Sequence, residues 1–108
     1  MMRMRTSLMM LRLKKNEPVL PMSNELRTVG NKLYIGDEEV LHGWESFTGW
    51  YWFATEKTEI EYNGKPIWYG FVQGQYEEWG DFPEAEIDSL GMKAWKIKKI
   101  DLPHAGRR

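Results

Sequence analysis

The chain contains no cysteine and only two histidines in 108 residues. That removes disulfide frameworks, thiolate metal sites and cysteine nucleophiles. The histidines His42 and His104 form no His-x-x-x-His pair, and no calcium-loop pattern surrounds the acids, so no metal site is expected. No apolar run approaches the ~20 residues that cross a bilayer, which argues against a membrane protein. The ten glycines are scattered, and none forms a P-loop or a dinucleotide fingerprint, so no cofactor is expected. Neither charge dominates: 15 Lys+Arg face 16 Asp+Glu, a net charge of -1. A generally basic nucleic-acid coat is thereby excluded.

What is present is segregated charge and a surplus of aromatics. Residues 1–32 carry seven basic groups and two acids, whereas residues 33–92 carry thirteen acids against only Lys57 and Lys65. Residues 93–108 return to a basic balance through Lys93, Lys96, Lys98, Lys99, Arg107 and Arg108. Such a pattern leaves two outcomes open. Either the basic ends fold back and neutralise the middle, or the middle presents an acidic field to a partner. Aromatic residues make up 14% of the chain, and thirteen of them fall between Trp44 and Phe82. A small domain cannot bury them all, so some Trp and Tyr reach the surface, where they serve as interface anchors.

The organisation predicted from pattern is a basic leader or N-terminal extension (1–21), a single domain (22–102) and a loose basic tail (103–108). Met22-Ser23-Asn24 reads as an alternative translation start. A short amphipathic helix on Met4, Leu8 and Leu11 is the second reading of the leader. Within the domain, Leu33–Ile35 and Val40–Leu41 flank Gly36-Asp37 as a hairpin. Trp50–Ala54 is apolar on both strand faces, as in a central strand covered twice. Thr58–Tyr62 alternates, Asn63-Gly64 is a strong hairpin signal, and Ile67–Gln73 is the returning strand. Residues 82–90 carry helix start and stop signals: Pro83 in the first turn, Glu84 and Glu86 behind it, Gly91 as the stop. A last strand holds Trp95, Ile97 and Ile100 among lysines that guard an edge. The expected fold class is α+β, a mostly antiparallel sheet of about five strands with one short helix packed on it.

Few residues are equipped for catalysis. His42 stands in no nucleophile-elbow spacing and reads as a loop histidine. Glu77, Glu78 and Asp81 lie among Tyr76, Trp79 and Phe82, and acids beside aromatics are the pattern of glycoside hydrolysis. A chain this short, however, offers little wall for a deep cleft, so no enzyme is expected. The candidate binding residues are Tyr76, Glu77, Glu78, Trp79 and Asp81.

At Trp50–Glu56 (W-Y-W-F-A-T-E) the sequence resembles a domain-of-unknown-function family of small proteins carried by plasmids, phages and integrative elements. Its members share a W-x-W-[FY]-A-T-E block. Tyr69–Gly74 resembles the strand that follows, Gly80–Leu90 the acidic helix and Ile97–Leu102 the closing strand. The likeness covers residues 44–102. Asp81 stands where an aromatic is usual, and Pro83 where a capping Ser is usual. The resemblance implies a mobile-element setting and transfers no catalytic residue; Trp52, Ala54, Thr55 and Gly70 read as structural.

Together these readings point to a non-catalytic, cytoplasmic accessory protein that binds a protein with a basic surface. Inhibition of a host defence or DNA-handling enzyme is an extension of that reading. The alternatives are a sugar- or base-binding module using exposed Trp and Tyr, and nucleic-acid binding through Lys93, Lys96, Lys98 and Lys99.

Overall fold

Tight turns and period-2 patterning determine most of the described structure. The computed structural model describes residues 23–108, and the expectations placed on residues 1–21 lie outside them. Strands β1 (Leu26–Val29), β2 (Lys32–Ile35) and β3 (Glu38–Glu39) form an antiparallel meander through the two-residue turns Gly30-Asn31 and Gly36-Asp37. The Gly36-Asp37 hairpin is present, but its returning strand is Glu38–Glu39 rather than the expected Val40–Leu41, which follow it outside any strand. Val40 donates its N–H to Leu33 O and Leu41 donates to Ala54 O, so these two residues carry the chain from the first sheet to the second.

The second sheet contains β4 (His42–Ser46), β5 (Tyr51–Tyr62), β6 (Lys65–Gln73), β7 (Glu77–Pro83) and β8 (Ala94–Lys96) in the order β7-β6-β5-β4-β8. All its pairings are antiparallel. β5 is central, as its two-faced apolar run predicted. Tyr51 and Phe53 point to one face with Phe71, where Leu33, Ile35, Val40, Ile97 and Leu102 close a core beneath the first sheet. Trp52 and Ala54 point to the other, where Trp44, Trp68, Phe82, Ile87 and Ala94 form a second core. Burying each such large side chain contributes roughly 2 kcal/mol.

The β5–β6 hairpin closes through Asn63 (φ 54) and Gly64 (φ 79), two left-handed residues in succession, as a type I′ turn requires. β5 is longer than its partner and absorbs the excess by bulging. Ala54 faces Gly70 and Glu56 faces Tyr69, which leaves Thr55 unpaired between them. A second irregularity between Lys57 and Glu61 is spanned by Thr58, whose hydroxyl donates to Ile67 O at 2.7 Å and accepts from the Ile60 N–H at 3.2 Å.

The expected α+β class is overturned. Strand accounts for 53% of the structure and helical conformation for 13%, and the strands divide into sheets of three and five. The helix expected over 82–90 is a single turn, α1 (Glu84–Asp88), accompanied by 3-10 turns at Gly91–Lys93 and Leu102–His104. The reason lies in Phe82 and Pro83. Both stay in β7, Phe82 pairs with Trp68 and enters the second core, and Pro83 is extended at φ -80, ψ 129. No side chain caps α1, and Gly91 takes φ 63 soon after it. The described residues form an all-β fold with one α-helical turn laid across a sheet face.

Two smaller expectations also fail. The last strand stops at Lys96, and Ile100 lies 81% exposed in a turn. The tail from Pro103, expected to be loose, is tied down. Leu102 and Pro103 are buried, and the Arg107 backbone hydrogen-bonds the buried Gln73 amide in both directions at 2.8 Å.

Candidate functional site

β7 is an outermost strand of the five-stranded sheet and, among the described residues, pairs only with β6. Register and the pleat decide where its side chains go. Glu77, Trp79 and Asp81 lie opposite Gln73, Phe71 and Tyr69 and share the face of the first core. Glu78 lies opposite Val72, on the face of the second core. The predicted cluster is therefore divided by the sheet plane. Glu77 and Asp81 flank Trp79 on one side, Glu78 projects on the other, and all three acids are exposed. Tyr76 stands in the β6–β7 turn, 75% exposed.

Trp79 differs from the others. Its ring lies 5.2 Å from the Phe71 ring and 6.0 Å from the Tyr69 ring, and its indole N–H donates to Asn24 Oδ1 at 2.9 Å. It seals the rim of the first core, so the exposed side chains at this edge are the three acids of β7 and Tyr76 in the turn before it. Glu77 accepts a 3.2 Å hydrogen bond from Gln73 Nε2.

Among the described residues, the basic C-terminal end forms no ion pair with this edge. Among the described residues two ion pairs form, Lys32–Glu39 and Lys65–Asp88, and neither involves β7. Arg107 donates to Gly74 O and Arg108 to the carbonyls of Pro103 and Ala105, so the terminal guanidinium groups serve backbone oxygens. Lys93, Lys96, Lys98 and Lys99 gather on and beside β8, the opposite edge of the same sheet.

Sequence reasoning missed one constellation. His42 is not in a loop: it opens β4, opposite Ala54, with its ring 4.8 Å from that of Trp68 and 6.2 Å from that of Trp44. Trp68 donates its indole N–H to Glu84 at 2.9 Å, and the Lys96 ammonium lies 5.7 Å from the Trp44 ring centre. Burial lowers the imidazole's pKa below 6.5, and Lys96 and Lys99 lower it further while Glu84 opposes them. The alternation His42-x-Trp44 was the available signal. A second aromatic feature is exposed: Phe47 is 69% and Trp50 39% accessible, and Trp50 lies 5.8 Å from Trp52. No group of three His, Asp or Glu side chains placed to hold a metal occurs among the described residues, nor any helix long and apolar enough to cross a membrane.

An all-β, two-sheet domain with one acidic and one basic sheet edge is the class that fold and site define. Comparison of the chain with protein-family models, curated proteins and solved structures gives no match.

Proposed function

We propose that the protein is a non-catalytic binding module that docks a protein of basic surface on the β7 edge. The observation that carries this reading is that Glu77, Glu78 and Asp81 stand exposed on an edge strand and, among the described residues, form no ion pair. An unpaired edge offers backbone hydrogen bonds to an incoming strand, the acids supply charge selection, and Tyr76 supplies an aromatic contact. The resemblance around Trp50–Glu56 adds a mobile-element setting, in which a host defence or DNA-handling enzyme with a basic surface is a suitable target.

The test is capture from nuclease-treated host lysate on the immobilised full chain, at about 50 and about 500 mM salt. A partner retained at low salt, lost with E77K/E78K/D81K and kept with the hairpin control E59K/E61K supports the reading. Capture unaffected by the β7 reversal, or recovery of nucleic acid alone from untreated lysate, overturns it. A second reading, a sugar- or base-binding module, is favoured by the exposure of Trp50 beside Trp52. It expects tryptophan fluorescence to shift with a soluble ligand and W50A to abolish the shift.

A further inference from the structure

The two edges of the five-stranded sheet carry opposite charge. β7 presents Glu77, Glu78 and Asp81; β8 and its flanking turns present Lys93, Lys96, Lys98 and Lys99. Neither set is paired within the described residues. Three edge-to-edge contacts between copies are conceivable. Joining β7 to β7 sets three carboxylates against three, and joining β8 to β8 sets lysines against lysines. Like charges facing one another across a strand pair are destabilising, and charged edges ordinarily prevent association for that reason. Here the guard rejects only like edges. The mixed contact places carboxylates against ammonium groups.

Strand polarity permits the mixed contact as well. β4 and β6 both run antiparallel to β5, while β8 runs antiparallel to β4 and β7 to β6. β7 and β8 therefore point the same way. A copy displaced along the sheet brings its β8 alongside the first copy's β7 as a parallel neighbour, with the five-stranded layers continuous. Tyr76 in the turn just before β7 and the half-exposed Trp95 of β8 add apolar contact at the two edges.

We propose that the β7 edge of one molecule docks the β8 edge of a second copy, giving a head-to-tail, salt-sensitive self-association. This rests on the reading of β7 as a protein-docking edge and names a partner for it. The contact is heterologous: each added copy leaves one acidic and one basic edge open, so the assembly grows as an open chain unless its rotation closes a ring. The β8 edge is only three residues long, so electrostatics rather than a long hydrogen-bonded ladder must supply the affinity and the specificity.

The deciding experiment is sedimentation velocity on the full chain over a concentration series. Two charge-reversed variants accompany it. E77K/E78K/D81K makes both edges basic; K93E/K98E/K99E makes both acidic and leaves Lys96 on the Trp44 ring. The wild type is expected to associate at low salt, with the association constant falling at least about tenfold in about 500 mM salt. Each variant alone is expected to remain monomeric, and an equimolar mixture to associate again, which only complementary edges and two folded proteins can produce. The salt series tests the same contact without any substitution. A wild type that stays monomeric at low salt overturns the proposal, as does association that survives both reversals or a mixture that fails to recover it. If the chain is monomeric but the β7 reversal still abolishes capture of a basic host protein, this inference fails while the docking edge stands.

Discussion

At the scale of single residues, the close approach of two backbones decides more than side-chain chemistry does. Gly70 and Gly80 are direct partners across β6 and β7, yet their surroundings are opposite. A Cβ on Gly70 would stand 1.8 Å from the Phe53 carbonyl oxygen, where β5 begins its bulge, whereas one on Gly80 meets nothing within 4 Å. Gly70→Ala must therefore push strands apart at the centre of the sheet, and it is expected to cost more than about 3 kcal/mol or to prevent folding. Gly80→Ala should stay within about 0.5 kcal/mol of the wild type. Urea denaturation of the pair checks this, and equal effects would refute the contact. His42 supplies a second test. Burial first, then Lys96, lowers its pKa below 6.5, so between that lowered value and 6.5 the unfolded chain binds more protons than the folded one. Stability is then complete above about pH 6.5 and declines as pH falls toward the folded pKa. Melting temperatures measured from pH 8 to 5 should show this decline, and His42→Gln should remove its share of the slope.

At the scale of elements, the strands were more legible than what ends them. Asn63-Gly64 predicted its hairpin because a type I′ turn demands two left-handed residues, and Trp50–Ala54 predicted a central strand because both its faces are apolar. The helix over 82–90 was misread because its start and stop signals are local, whereas Phe82 answers to Trp68 across the sheet and holds the chain in β7 through Pro83. The acids of β7 were legible as residues but not as an arrangement, since the strand register that parts Glu78 from Glu77 and Asp81 depends on the pairing with β6. Nor could the sequence place β7 and β8 at opposite edges of one sheet, because the link through α1 crosses a face rather than turning back in a hairpin. The tail shows the same limit. Its polar composition reads as loose, but Gln73 is 1% exposed and makes two of its three amide hydrogen bonds with the Arg107 backbone, the third going to Glu77. Truncation after Ala105 is expected to cost about 1–3 kcal/mol by removing both Arg107 backbone bonds and leaving the buried amide oxygen without its donor, while the amide nitrogen keeps Glu77. Arg107→Ala keeps the backbone, loses only the guanidinium bond to Gly74 O, and should cost about 1 kcal/mol or less. A truncation with no effect on the denaturation midpoint would restore the loose tail.

At the scale of the whole molecule, two cores share one layer of backbone. Phe53 belongs to the core beneath the first sheet and Ala54, its neighbour in β5, to the core under α1. β6 repeats the arrangement with Phe71 on one face and Trp68 on the other. Neither core can lose its wall without taking the other's wall with it, so the domain has no internal boundary along which half of it could unfold. Phe53→Ala and Phe82→Ala each open a cavity on a different face, and each is expected to cost about 3–5 kcal/mol. The consequence specific to this architecture is that both should shift one common transition. Far-UV circular dichroism reports the strands, and tryptophan fluorescence reports mainly the second core, where Trp44, Trp52 and Trp68 lie. In Phe53→Ala the two signals should still coincide at every denaturant concentration, although the cavity is on the face away from those tryptophans. Separation of the two curves, with fluorescence surviving after the strand signal of the first core has gone, would show that the shared strands do not couple the faces. The charged edges sit at the ends of this same layer, so their placement in space is fixed by the stability of β5 and β6 between them.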